Sequence, residues 1–353
     1  MWTLNKLECE ANILLDINHY FKLGGNKKME VNIKQLNQKI QPLGMGGWAI
    51  GGTWGPKDLP LGWSTVDDKE SIKALRYAFE RGITLFDTAA TYGYGHSEKV
   101  LGEAFHDIRD KIIIATKFGC PFDEVKREGR EVSVERDSII TECHDSLRRL
   151  GTDYIDIYQL HIQEVELEQI DDVVATLEYL KDRGDIRSYG WSTDFPKKAE
   201  AILKYLGCST IQFDLNIFAD NEEMINLIDE KQVMGLNRQP LAMGLLSGKY
   251  DINSKLPKDD IRSTSMEWMK YFNQGIPNSQ LLKKLEAIRE IITSGGRTMV
   301  QGALAWNWAR SPYMVPIPGF KNVKQVEDNI KALEFGPLTK KQVEEVNNIV
   351  KSL

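Results

Sequence analysis

The sequence predicts an α/β fold: a (β/α)8 TIM barrel with a parallel eight-stranded core, an N-terminal hairpin and a long loop after the seventh strand. Three observations lead there. From Pro42 onward a unit recurs in which an apolar helical face ends at a glycine, a short β-rich run follows, and a polar residue stands where the run stops. Polar residues mark the ends of nearly every run, as the rim of a barrel requires, whereas an open doubly wound sheet gathers its ligand contacts at one switch point. No G-x-G-x-x-G opens a helix after the first run, so the open-sheet alternative lacks its dinucleotide fingerprint.

Taken in order, Val31 to Gln41 forms two short alternating runs around Asn37, a hairpin able to plug the N-terminal end of the barrel. GMGGWAI opens the strand series. Ile72, Leu75 and Phe79 share a helix face that stops at Gly82, and ITLF leads to Asp87. KIIIA leads to Lys117. Ile139, Cys143, Leu147 and Leu150 precede Gly151, and YIDIYQL leads to His161. Ile170, Val173, Val174, Leu177 and Leu180 precede Gly184, and DIRSYGW ends at Ser192. Ala199, Ile202 and Leu203 precede Gly207, and STIQFDL carries Gln212. VMGLN is the seventh run and YMVPI the eighth. Between them Ser247 to Pro277 is a polar segment around Met266-Glu267-Trp268-Met269, and a loop this long in a compact domain is ordinarily functional. Right-handed crossovers between such runs give a parallel sheet buried on both faces.

The chain has 353 residues, 42% hydrophobic and 27% charged, enough for residues 29–353 to close one large core without staples. A net charge of −6 and no long Lys/Arg block argue against nucleic acid, and no apolar run reaches membrane-spanning length. Cys9, Cys120, Cys143 and Cys208 are widely spaced, with no C-x-x-C pair, which fits a reducing cytoplasm and signals neither disulfides nor zinc. The histidines show no H-E-x-x-H, so metal-free chemistry is expected. Residues 1–28 mix Glu8, Glu10 and Asp16 among apolar residues and are not a secretory signal. Gly24-Gly25 lies just before Met29, and glycine codons there can encode a ribosome-binding site, so 1–28 is expected to be an extension ahead of a native start at Met29.

The chemistry gathers at the strand ends. Asp87 begins FDTAATYGYG, a glycine-rich loop carrying Tyr92 and Tyr94, and Lys117 and His161 end the next two runs. Barrel strand ends converge on one mouth, so Asp87, Tyr92, Lys117 and His161 can meet as a proton-transfer site. A phenol with a pKa of about 10 needs roughly 3 to 4 kcal/mol of phenolate stabilisation to work as an acid at neutral pH. One ammonium at about 4 Å supplies about that much, with Asp87 aiming Lys117 and His161 orienting a carbonyl oxygen. Any one of these residues alone reads as a cap, a solvated group or a core histidine. Four compatible types on successive strand ends read as a site.

That order, with FDTAATYGYGHSE, SLRRLGTDYIDIYQLH and PLAMGLLSGKY, resembles the aldo-keto reductase family from about Pro42 to Leu338. The resemblance implies a (β/α)8 barrel that uses a nicotinamide cofactor, NADPH rather than NAD, and reduces a small-molecule carbonyl. In it Tyr92 is the general acid, tuned by Lys117 and Asp87, and His161 fixes the carbonyl. It also implies carboxamide contacts from Ser192, Thr193 and Gln212, with Thr193 standing where a family asparagine is usual. Arg238 takes the place of an aromatic that stacks on the nicotinamide. Pro240, Leu241 and Gly244 match the pyrophosphate loop, and Thr53 and Trp54 a first-loop contact. In PGFKNVKQVEDN, Gly319, Lys321, Gln325, Asp328 and Asn329 match the end of the cofactor site. Lys321, beside a helix N-terminus, suits the adenosine 2'-phosphate of NADP.

Trp48, Trp54, Trp63, Phe118 and Phe122 on early loops are expected to rim the mouth and favour an apolar or aromatic carbonyl compound. With only the Lys340 to Val350 helix at the end, an open pocket is expected. Two other functions fit the same scaffold: a non-catalytic NADP-binding regulatory subunit, and a Schiff-base aldolase using Lys117. The aldolase needs a lysine with a lowered pKa, and Asp87 acts in the opposite direction.

Overall fold

The computed structural model describes residues 29–353 except 57, 58 and 164, so the expected extension 1–28 lies outside the described residues. Eight strands run parallel in sequence order: β1 (Gly44–Gly46), β2 (Leu85–Asp87), β3 (Ile113–Phe118), β4 (Ile155–Leu160), β5 (Ile186–Ser192), β6 (Cys208–Asp214), β7 (Met234–Arg238) and β8 (Met314–Pro316). The ring closes where Gly46 bridges Gly319 and its N–H donates to the Pro318 carbonyl at 3.1 Å. A Cβ on Gly46 would lie 2.7 Å from the Ile317 carbonyl oxygen, so this seam requires glycine.

Around the barrel lie α1 (Asp68–Glu80), α2 (His96–Phe105), α3 (Arg136–Leu150), α4 (Ile170–Arg183), α5 (Pro196–Ile202), α6 (Glu222–Lys231), α7 (Ser279–Ile292), α8 (Met299–Arg310), α9 (Val323–Phe335) and α10 (Lys340–Ser352). Their ends follow from local chemistry. The Asp67 side chain accepts from the Glu70 N–H to start α1, while Gly151 and Gly184 end α3 and α4 in the left-handed region at φ 63° and 85°. Among the described residues no helix is long and apolar enough to cross a membrane.

Alternation along the strands decides what faces the lumen. The lower lumen is apolar: Leu85, Ile113, Ala115, Ile157, Met234, Leu236 and Val315 pack with Val31, Ile33 and Ile40 of the N-terminal hairpin, which therefore plugs the barrel floor. Two residues further along four of these strands the same phase turns polar, at Asp87, Lys117, Gln159 and Arg238, and Gln212 of β6 joins them. One expectation changes at the first strand. Only GMG is extended, and Gly47–Ile50 turns instead as a 3-10 helix whose Gly47 carbonyl accepts from Ser97 Oγ at 3.0 Å.

The segment after β7 is more ordered than its polarity suggests. It holds a 3-10 turn at Ile261–Ser263 and a two-stranded hairpin, Phe272–Asn273 with Ile276–Pro277. Ile261, Tyr271 and Phe272 are buried and anchor it. Ile261 N–H donates to the Gly62 carbonyl at 3.0 Å, and Asn216 Nδ2 donates to Tyr271 Oη at 2.7 Å, so the segment ties the first loop to the end of β6.

Candidate active site

A cavity of about 580 Å³ opens at the C-terminal mouth of the barrel, where the polar ends of the strands meet. Asp87 sits at its floor, placed by the last position of β2. Its Oδ2 accepts from Lys117 Nζ at 2.8 Å, and its Oδ1 accepts from Gln212 Nε2 at 2.7 Å and Gln159 Nε2 at 3.2 Å. Lys117 Nζ also donates to the Thr88 carbonyl at 2.7 Å, and its side chain is fully buried. Every partner of the buried pair is in place, which an ion pair removed from water requires.

Tyr92 lies on the loop after β2. The turn there is tight: a Cβ on Gly93 would lie 1.8 Å from the Gly51 carbonyl oxygen, and Tyr94 adopts a left-handed φ of 56°. Lys117 Nζ is 5.2 Å from the Tyr92 ring centroid, and the His161 ring stands edge-on to it at 6.2 Å. The four expected residues therefore meet at one corner: Asp87, Tyr92 and Lys117 are buried, His161 is half-buried, and all but Lys117 line the cavity.

The electrostatics differ from expectation at Tyr92. Burial is the largest influence and pushes its phenol above its ordinary range; the Lys117 ammonium pulls it down and the Asp87 carboxylate pushes it up again. The phenol is not acidified, because dehydration outweighs one paired cation. Lys117 shows the reverse balance. Burial disfavours its ammonium, yet Asp87 and Tyr92 more than compensate and raise its pKa. Burial, with the charges of Lys117 and Arg238, holds His161 down at about 3, so the imidazole is neutral.

Ser192, Gln212, Arg238, Pro240, Leu241, Gly244, Gly319, Lys321, Gln325, Asp328, Asn329 and Trp54 all line the cavity. Thr53 and Thr193 do not. The Thr53 side chain is exposed and its carbonyl accepts from Arg127 Nη2 at 3.1 Å; Thr193 is out of phase with Ser192, and its Oγ1 donates to the Gln163 carbonyl at 3.1 Å. Arg238 does not lie free for a ring to stack on. Its guanidinium forks onto Asp194, with Nη1 donating to Oδ1 at 3.0 Å and Nη2 to Oδ2.

Phe118 also departs from expectation. It follows the inward Lys117 and so points outward, 1% exposed, packing on Tyr158 with ring centroids 4.6 Å apart. Phe122 lies outside the cavity too, against Tyr94 and Arg149. The aromatic rim is instead Trp48, Trp54, Trp63 and Trp268, with Trp48 stacked on Tyr92 at 5.8 Å and edge-on to Trp63 at 4.9 Å.

Several lining residues carry no early signal. Asp194, Gln163 and Asp214 sit just at or past strand ends, and Lys249 stands inside the recognisable PLAMGLLSGKY. Arg262, Trp268 and Lys270 come from the long segment. Arg262 is buried, its Nη1 donating to Tyr250 Oη at 2.7 Å and to the Met243 carbonyl at 3.1 Å. The same guanidinium is forked onto Asp260, with Nε donating to Oδ1 at 2.8 Å and Nη2 to Oδ2 at 2.6 Å. Lys321 nearby has its pKa lowered first by burial, then raised by Asp260 and lowered by Arg262 and Lys249, so three cations and one carboxylate gather at this end of the cavity. Trp54 Nε1 and Asn329 Nδ2 are buried without a partner.

A closed parallel barrel with a buried acid–lysine pair, a tyrosine and a neutral histidine at its C-terminal mouth defines a barrel oxidoreductase. Residues 42–351 match the Aldo/keto reductase family, and the chain belongs to it. It is 32% identical over 269 residues to aldo-keto reductase YhdN of Bacillus subtilis, covering 75% of this chain and 76% of that protein. It is 32% identical over 322 residues to the chloroplastic pyridoxal reductase of Arabidopsis thaliana, covering 85% and 81%. Among solved structures, the glycerol dehydrogenase AKR11B4 from Gluconobacter oxydans superposes with a TM-score of 0.77 at 26% identity, covering 93% of this chain and 96% of that one.

Proposed function

We propose that this chain reduces an aldehyde or ketone to the alcohol with NADPH, Tyr92 acting as general acid. The observation that carries this reading is the corner in which a buried Lys117, fixed by Asp87, faces Tyr92 while a neutral His161 stands beside the phenol. Relatives named for pyridoxal reduction and glycerol dehydrogenation interconvert carbonyls and alcohols, which supports the same reaction type here.

The residues present fit a dinucleotide. Trp54 Nε1 and Asn329 Nδ2 are orphaned donors in the cavity, and Lys249 and Lys321 line the same end of it, beside an Arg262 paired with Asp260. Ser192 and Gln212 would hold the carboxamide, the loop from Pro240 to Gly244 the pyrophosphate, and Lys321 the 2'-phosphate that distinguishes NADP from NAD. NADPH, when bound, supplies the hydride. The chain's own residues do the rest. His161 donates a hydrogen bond to the carbonyl oxygen, Tyr92 delivers a proton to that oxygen, and Lys117 stabilises the phenolate left behind. The tryptophan rim excludes water and suits an apolar or aromatic substituent. No metal takes part in this scheme. Lys117, held charged by Asp87, is unsuited to a Schiff base. A complete proton-transfer corner is superfluous in a purely regulatory subunit. The unpaired thiols of Cys120, Cys143 and Cys208 fit a reducing cytoplasm.

Tyr92→Phe removes only the donor. Carbonyl reduction should vanish while NADPH binding, followed by fluorescence, stays close to that of the parent; retained turnover would overturn the assignment.

A further inference from the structure

The substrate end of the cavity holds a second cation whose charge is already spoken for. Arg238 ends β7 and faces the cavity, and its field reaches both Tyr92 and His161. Its fork is filled by Asp194, two residues beyond the end of β5, through two charge-assisted hydrogen bonds. Gln163 completes the clamp in the amide orientation that satisfies both neighbours, its nitrogen donating to Asp194 Oδ2 at 3.1 Å and its oxygen accepting from Arg238 Nη2 at 3.2 Å. Asp194 is itself pinned: Oδ1 accepts from the Asp214 N–H at 2.8 Å, and its carbonyl accepts from Asn221 Nδ2 at 3.1 Å.

Lys117 is likewise paired with Asp87 at the floor of the site, while Lys270, exposed at the outer edge of the cavity, forms no ion pair among the described residues. A substrate carboxylate arriving beside the reacting carbonyl would therefore find the guanidinium of Arg238 already occupied. To reach Arg238 it must displace Asp194 and leave that carboxylate facing it at close range.

We infer that Asp194 is a specificity-determining residue. By occupying Arg238 it disfavours carbonyl compounds that carry a carboxylate beside the reacting carbon, and removing its charge converts Arg238 into a receptor for 2-oxo acids. This rests on the reductase reading above and adds the charge class of the substrate.

The test compares phenylglyoxylate with its amide, two ketones matched in shape and differing in charge, in the parent and in Asp194→Asn. Asparagine keeps an oxygen for the Asp214 N–H, and a thermal melt checks folding. The parent should prefer the amide, and the acid-to-amide ratio of kcat/KM should rise at least tenfold in the variant, about 1.4 kcal/mol, chiefly through the KM of the acid. Adding Arg238→Gln to Asp194→Asn should abolish the gain. A ratio that stays within threefold of the parent's, or a gain that survives loss of Arg238, overturns the inference. Benzaldehyde serves as the control for the underlying reading: if the parent oxidises NADPH with none of these carbonyls, it is the reductase assignment that fails. Calorimetric titration of mandelate then decides the inference without turnover. Binding tenfold tighter to Asp194→Asn supports it, and equal affinity for the two proteins overturns it.

Discussion

Replacing Lys117 by methionine removes the ammonium from the floor of the site while nearly preserving its volume. With Nζ 5.2 Å from the Tyr92 ring centroid, Coulomb's law at an effective dielectric of 20 gives about 3 kcal/mol of phenolate stabilisation. The variant should therefore lose about two orders of magnitude in kcat for benzaldehyde reduction, measured as loss of NADPH absorbance at saturating substrate. Stability falls too. Asp87 would be left buried with only Gln159 and Gln212 as donors, at a cost of about 3 to 5 kcal/mol. The double variant Asp87→Asn with Lys117→Met separates the two effects, since it removes the stranded carboxylate and should regain stability without regaining rate. A folded Lys117→Met protein whose kcat stays within tenfold of the parent's would refute the claim that this ammonium drives proton transfer.

Two further outcomes follow from the same geometry. Lys321→Ala should weaken NADPH at least tenfold while leaving NADH nearly untouched, as read by titration with each reduced cofactor; equal losses would mean the 2'-phosphate is held elsewhere, with Lys249 and Arg262 the next candidates. His161→Gln should protect against acid. The folded protein keeps this imidazole neutral down to about 3, while the unfolded chain protonates it below 6.5, so the parent loses stability as pH falls from 6.5 toward 3. Urea melts should show the variant gaining about 3 kcal/mol relative to the parent between pH 8 and pH 4, and a pH-independent difference would show that His161 is not buried as a neutral ring.

The barrel was legible because its units repeat: a helical apolar face, a glycine and a short run ending in a polar residue recur from α1 to β6. The quartet was legible because strand ends must converge, which places Asp87, Lys117 and His161 without knowledge of any contact. Other features needed the phase of each strand, which residue types alone do not show. Lys117 faces inward, so Phe118 must face the helices, and Ser192 faces the cavity, so Thr193 cannot. The Asp194 clamp on Arg238 was invisible for another reason. It joins residues 44 positions apart, one just past β5 and one at the end of β7 with β6 between them, and nothing in the local sequence ties one to the other. Arg262 and Trp268 lay in a segment whose length marked it as functional, but whose path over the cavity is set by Ile261, Tyr271 and Phe272 burying themselves against the barrel.

The Tyr92 environment gives the clearest case of a chemical property that pairwise reasoning inverts. One cation against one phenol predicts an acidified tyrosine; the folded site adds dehydration and the Asp87 carboxylate, and the phenol rises instead. In the proposed reaction this raises the demand on Lys117, because the resting phenol holds its proton more tightly than a free tyrosine does. Lys117 then acts only as the carbonyl oxygen draws the proton away and negative charge moves onto Tyr92, where an ammonium already fixed by Asp87 and Thr88 meets it without reorganisation. The stabilisation is withheld from the resting state and delivered in the transition state, where it lowers the barrier instead of merely tightening the ground state.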